Sequence, residues 1–146
     1  MKVVLQRVKN ATLSIDGKVI SQIGKGIVCF VGFKNGDTEK NFVLPAKRIC
    51  GIRIFEDENG KMNVGIDKAG GEILLVSNFT LYGDLTDGFR PSFIGSMKYD
   101  EANIMFEKFV SYVKTQTKLK VETGVFGADM QIVQQNDGPI TLIIEN

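Results

Sequence analysis

Polar and apolar positions alternate along Val3 to Val8 and again along Ala11 to Ile15, the period of a half-buried strand. Lys18 to Ile23 reads as a third strand, and Asp16-Gly17 before it is a strong hairpin signal because both residues tolerate positive φ. Gly24-Lys25-Gly26 makes the next turn, and Ile27 to Phe33 is apolar enough for a buried strand. Asp37 offers a helix cap, and Phe42, Ala46 and Ile49 fall on one helical face. Pro45 lies inside this predicted helix, so a kink is expected there. Cys50 ends it, a short strand Ile52 to Phe55 follows, and Glu56 to Gly60 form an acidic turn without the ordered spacing of a calcium loop.

The run Glu72-Ile-Leu-Leu-Val76 predicts a strand buried on both faces. Asp100 to Lys118 predicts the longest helix, with Ala102, Met105, Phe106, Phe109, Val110 and Val113 as its apolar stripe. Three further strands are expected at Lys120 to Val125, Met130 to Gln134 and Ile140 to Glu145, with turns at Gly127 and at Asn136-Asp137-Gly138-Pro139. Many strands, frequent hairpins and two main helices give an α/β (α+β) class: mixed, largely antiparallel sheet with helices covering one side.

Composition narrows this picture. The 146 residues suit a single domain, 1–146, and 43% hydrophobic with 24% charged residues is ordinary for a globular protein. A net charge of +1 argues against nucleic-acid binding driven by a bulk positive field. Cys29 and Cys50 form no CxxC pair, so a reduced, cytoplasmic protein is expected. The start, MKVVLQRVKN, is interrupted by Gln6 and Arg7 and does not read as a signal peptide. No run approaches the roughly 18 apolar residues of a membrane helix, so no membrane partner is expected.

Histidine is absent. Ser-His-Asp and Cys-His catalysis and His-ligated metal sites are thereby excluded, along with the commonest general base near neutral pH. An enzyme built from this chain must use hydroxyls, backbone groups, carboxylates, lysine or the substrate's own atoms; no metal and no cofactor is expected.

The buried run at Glu72 to Val76 breaks off into Ser77-Asn78-Phe79-Thr80. Two readings stand: these polar groups cap a strand and start a turn, or they form a site held at a rigid strand tip. Gly83 to Gly95 is a long Gly/Asp/Pro-bearing loop able to fold over such a site.

Ser77-Asn78-Phe79-Thr80-Leu81-Tyr82, Arg90-Pro91-Ser92-Phe93, Val121-Glu122-Thr123-Gly124, Phe126 to Met130 and Asn136-Asp137-Gly138-Pro139, with Gln6-Arg7-Val8 at the start, carry a resemblance. Over essentially its full length the chain resembles the D-aminoacyl-tRNA deacylases. One departure is Asn78, where that family usually has Gln. The resemblance implies a β/β/α layered fold and a homodimer with its active site at the subunit interface. It implies hydrolysis of the ester joining a D-amino acid, or glycine mischarged on tRNA(Ala), to the 3′-terminal adenosine of tRNA.

For the residues, it implies a catalytic tip of Ser77, Asn78, Phe79 and Thr80 and an adenosine slot of Ala102, Phe126 and Met130 near Phe79. It implies chiral selection by the backbone of Gly138 and Pro139 from the partner subunit, joined by a cis bond and steadied by Arg7. Thr80 is expected to position rather than attack, because no base is available to activate it; the substrate's 2′-hydroxyl is expected to assist a water. Arg7 has the alternative of an exposed edge-strand charge. For Phe79, Ala102, Phe126 and Met130 the alternative is a place in the core; for Gly138-Pro139, an ordinary hairpin turn. Two rival functions stand beside hydrolysis of aminoacyl-tRNA: a non-catalytic RNA-binding module, and a hydrolase of another small ester.

Overall fold

In the computed structural model, which describes residues 1–146, the chain runs β1 (Lys2–Ile15), β2 (Lys18–Ile23), β3 (Gly26–Gly32), α1 (Val43–Gly51), β4 (Phe55–Glu56), β5 (Met62–Val64), β6 (Glu72–Ser77), α2 (Tyr99–Gln116), β7 (Val121–Thr123) and β8 (Gln131–Glu145). Short 3-10 turns stand at Glu39–Phe42 and Phe79–Tyr82. β1 is the organising strand. Its first half pairs antiparallel with β3, its second half with β2, and β8 runs antiparallel along nearly all of it. β3 then pairs in parallel with β6, and β6 with β7, giving a sheet in the order β2-β1-β3-β6-β7 with β8 on β1.

The alternation of side chains sorts β6 into two cores. Ile73 and Leu75 join Val3, Leu5, Cys29 and the inner faces of α1 and α2, including Ala46, Ile49, Phe106 and Phe109. Leu74 and Val76 point the other way, onto Val8, Ala11, Leu13 and Ile23. The second half of β1 with β2 therefore forms a second β layer over the sheet, and the helices form a third layer on its opposite face. β6 is buried on both faces, as its uninterrupted apolar run predicts. Each large side chain in these cores contributes about 1.5–3 kcal/mol relative to its exposed state.

Asp16 (φ 49°) and Gly17 (φ 75°) are both left-handed, the geometry that joins β1 to β2 without splaying them. Several boundaries differ from the sequence reading. Val3–Val8 and Ala11–Ile15 are one strand, with exposed Lys9 as a bulge between the pairs Val8↔Asn136 and Asn10↔Gln135. Met130–Gln134 and Ile140–Glu145 likewise belong to one strand, β8. Asn136 to Pro139 is therefore not a hairpin turn. Between the pairs Gln6↔Thr141 and Val8↔Asn136, β8 takes five residue steps against two on β1, so the segment bulges out of a continuing ladder. The Gly138-Pro139 bond within it is cis.

Pro45 is the third residue of α1, not an interior position, because Glu39–Phe42 is a separate 3-10 turn. A proline N in the first helical turn lacks an intrahelical acceptor in any case, so Pro45 marks where α1 starts rather than where it bends. Asp37 is not a helix cap. Thr38 takes that position, and the buried Asp37 carboxylate instead accepts from the Lys34 N–H at 2.9 Å and the Met1 amine at 2.8 Å. The strand expected at Ile52–Phe55 is shifted to β4, and β5, absent from the sequence reading, pairs with it.

Candidate active site

The parallel pairing of β3 and β6 places Ser77 at the end of a strand packed on both faces. The chain then turns under three restraints. The Asn78 N–H donates to the Val31 carbonyl at 2.8 Å, the Gly83 N–H to Thr80 at 2.9 Å, and the buried Ser96 hydroxyl to the Phe79 carbonyl at 3.2 Å. The N–H groups of Phe79 and Thr80 open the 3-10 turn, and the first N–H groups of such a turn have no acceptor within it. The Thr80 hydroxyl donates to Asn78 Oδ1.

Beside this tip lies a cleft of about 630 Å³, a volume suited to a nucleoside-sized ligand. Ser77, Asn78 and Phe79 line it from the strand tip, Ala102 from α2, and Phe126 and Met130 from the β7–β8 connection. Six of the residues named from the resemblance, drawn from three separate stretches of the chain, thus line one cleft. Phe79 is 54% exposed, edge-on to Phe93 with centroids 5.1 Å apart. Phe126 holds Tyr99 edge-on at 5.1 Å and packs against Phe106 at 6.2 Å. Phe126 and Met130 are half-buried, so these side chains serve core and cleft together. Thr80 is exposed beside the cleft and reaches it only through Asn78.

Lys98 and Tyr99 are the only ionisable side chains in the lining; no carboxylate and no thiol faces the cleft. Burial holds the Cys29 thiol far above its ordinary range and pushes Cys50 up to about 11, so neither supplies a thiolate near neutrality. Nor do His, Cys, Asp or Glu side chains gather in threes anywhere in the fold. The arrangement offers backbone and amide donors in an apolar slot, which suits orientation and oxyanion stabilisation rather than proton abstraction by a side chain.

Arg7, Gly138 and Pro139 do not line this cleft. They form a second cluster. Arg7 is 4% exposed, on a strand paired on both sides, which excludes the edge-strand alternative. Its Nε donates to the Asp137 carbonyl at 3.2 Å, and Nη1 to the Ile54 carbonyl. The guanidinium therefore anchors the residue before Gly138, while Gly138 and Pro139 stay exposed.

Asn35, Phe93, Lys98, Tyr99 and Gly127 also line the cleft and escaped the sequence reading. The Asn35 amide donates to the Ile94 carbonyl at 2.8 Å, tying the end of the Gly83–Gly95 loop to the segment after β3. The signals in sequence were that loop's length and the places of Phe93 and Gly127 in the stretches that carry the resemblance.

The family profile described as D-Tyr-tRNA(Tyr) deacylase matches residues 4–145. The chain belongs to this family. A protein from Desulfatibacillum aliphaticivorans named D-aminoacyl-tRNA deacylase is 47% identical over the whole chain and 99% of its own length. One of the same name from Clostridium botulinum (strain 657 / Type Ba4) is 44% identical over the whole chain and 97% of its own length. Among solved structures, the c-Myc DNA Unwinding Element Binding Protein superposes with a TM-score of 0.94 at 36% identity, covering 100% of this chain and 99% of that one. A probable eukaryotic D-amino acid tRNA deacylase superposes at 0.83 with 16% identity, covering 98% and 97%, and so shares the fold. As a member of the deacylase family, the chain is a hydrolase. No helix is long and apolar enough to cross a membrane.

Proposed function

We propose that this chain, a single deacylase domain over residues 1–146, hydrolyses the ester of D-aminoacyl-tRNA in the cytoplasm, with the 3′-terminal adenosine in the 630 Å³ cleft. The observation that carries the reading is the cleft's composition: an apolar slot against a strand tip of hydroxyl, amide and backbone donors, with no carboxylate, thiol or histidine. An aminoacyl ester is already activated, so orientation and charge stabilisation suffice. Water attacks the carbonyl carbon, assisted by the ribose 2′-hydroxyl. The Phe79 and Thr80 N–H groups and the Asn78 amide face the developing oxyanion. The bond to the ribose oxygen breaks, that oxygen takes the proton, and free D-amino acid and tRNA leave.

Chiral selection falls to Gly138 and Pro139 of a second copy, facing the substrate's α-carbon. Backbone cannot rotate aside, so an L side chain meets a wall while a D side chain, or the hydrogen of glycine, does not. Glycine mischarged on tRNA(Ala) is thereby a further substrate. Size discrimination in a side-chain pocket yields only about 1–3 kcal/mol per methylene, less than a rigid wall can impose.

The test is deacylation of D- and L-aminoacyl-tRNA, each also ending in 2′-deoxyadenosine, with and without a strong chelator. Hydrolysis of the D ester alone, unchanged by chelator and much slower on the deoxy ester, is expected. Equal rates on D and L esters would overturn the chiral reading; full rate on the deoxy ester would overturn substrate assistance. A purely binding role is the second reading, favoured by the likeness to a protein named for binding a DNA element. The net charge of +1 weighs against it, since backbone anchoring by counterion release needs clustered cations.

A further inference from the structure

Asn78 and Thr80 are two residues apart on a turn whose backbone is restrained from three directions. Asn78 lines the cleft; Thr80 does not. Their side chains meet, with the Thr80 hydroxyl donating to Asn78 Oδ1. Asn78 Nδ2 makes no hydrogen bond within the protein, although the side chain is half-buried. The amide oxygen is thus occupied, and Nδ2 is an unpartnered donor on a residue that lines the cleft.

We infer that Thr80 is a positioning residue acting through Asn78: its hydroxyl fixes the amide so that Nδ2 is the donor presented to the ester carbonyl. This rests on the deacylase reading of the cleft. Two physical effects support it. An unrestrained primary amide can swing about χ2 and offer either a donor or an acceptor, and an acceptor facing a developing oxyanion repels it. Thr80 removes that alternative. Donation into the amide oxygen also draws electron density from nitrogen, so the Nδ2–H becomes a better donor; hydrogen bonds in series strengthen one another.

The same geometry gives the short side chain at position 78 a purpose. A side-chain oxygen one methylene from its own backbone closes readily onto a group two residues on, the contact that makes Asn frequent in turns. A glutamine oxygen is carried one methylene further and loses that closure. Asn78 and Thr80 therefore work as a pair in this chain: the reach lost with the shorter amide is offset by its fixed orientation.

The test is a set of variants assayed by single-turnover hydrolysis of D-aminoacyl-tRNA: Thr80→Val, Thr80→Ser, Asn78→Ala, Asn78→Gln, and Thr80→Val combined with each change at 78. Thr80→Val should slow the chemical step about tenfold with KM within twofold, and Thr80→Ser should restore it. In the Asn78→Ala and Asn78→Gln backgrounds Thr80→Val should cost less than twofold further. An independent readout is the side-chain amide resonance of Asn78 in the free enzyme, which should move in Thr80→Val and return in Thr80→Ser.

Equal losses in all three backgrounds, or a serine variant as slow as valine, would overturn the inference. A loss near 10⁴-fold in Thr80→Val would do so too, since it assigns Thr80 a direct chemical role. If the wild-type protein releases no amino acid from D-aminoacyl-tRNA, the deacylase reading fails and this role with it, while the resonance still reports whether the Asn78–Thr80 bond exists.

Discussion

Arg7 Nε lies 3.1 Å from the Asp137 carboxylate and 3.2 Å from the Asp137 carbonyl, so one buried guanidinium grips both the side chain and the backbone of the β8 bulge. The same group donates to the Ile54 carbonyl, linking the bulge to the start of β4. Arg7→Met removes the charge and leaves the buried Ile54 carbonyl unpaired. Breaking a buried pair from one side costs about 3–5 kcal/mol, and the exposure of Asp137 places this site at the lower end. A loss of about 3 kcal/mol, or about 6–12 °C in Tm, is expected by urea and thermal unfolding. Arg7→Lys should recover less than half of it, because a single ammonium cannot reproduce the planar fork. An unchanged midpoint in Arg7→Met would refute the anchoring role.

That bulge also shows where the sequence stops being informative. Asn136-Asp137-Gly138-Pro139 is turn-forming in composition, and local chemistry alone cannot distinguish a turn that reverses the chain from a bulge that leaves the strand running. The partner strand decides: β1 continues straight past it, and Arg7 supplies the polar contact. Lys9-Asn10 misled in the same way on β1. By contrast β6 and the apolar stripe of α2 were legible, because burial on a fixed period leaves one solution. Ser77 to Thr80 were legible as a polar break after a buried run. Tyr99, Gly127 and Asn35 were not, since only tertiary folding carries them to the same cleft.

Gly138 and Pro139 are exposed and outside the cleft lining, so the selection proposed for them needs a second copy of the chain. A dimer is expected by light scattering at micromolar concentration. Asp substituted at Val133 and at Ile143, both strongly exposed apolar positions on β8, should shift the equilibrium toward monomer and lower the rate on D-aminoacyl-tRNA together. A monomer that retains full activity and D/L preference would sink the shared site.

The thiols set an alkaline limit on stability. Burial raises Cys29, and Cys50 lies at about 11, while an unfolded thiol titrates near ~8.5. Above that value the unfolded chain has released protons that the folded chain still holds, so the unfolded state binds fewer protons and stability falls as pH rises. Below it both states are protonated and the contribution is fully present. Unfolding free energy should therefore decline from about pH 8.5 upward, by at most about 1.4 kcal/mol per pH unit from Cys29. Half-buried Tyr82, raised by desolvation, acts in the same sense at higher pH. Cys29→Ala should flatten the decline; an equally steep curve in that variant would assign it to other groups.

Gly127 tests whether the cleft wall is built by packing or merely bordered by it. It lies at φ 75° in the cleft lining, and an added Cβ there would run into the Tyr99 hydroxyl. Gly127→Ala therefore has two consequences. The left-handed backbone costs an L residue about 1–2 kcal/mol. The methyl must also displace Tyr99, whose ring packs edge-on against Phe126. Tyr99 is largely exposed, so it can swing away and the fold survives, but the wall it makes with Phe126 is lost. The expected result is a three- to tenfold rise in KM for D-aminoacyl-tRNA with little change in the single-turnover rate, because the strand tip at Ser77 to Thr80, where the reaction is proposed to occur, is untouched. Tyr99→Ala removes the clash in advance, so adding Gly127→Ala to it should raise KM by less than twofold. Independent effects of the two changes, multiplying in the double variant, would mean that Gly127 acts through the backbone alone and not through Tyr99.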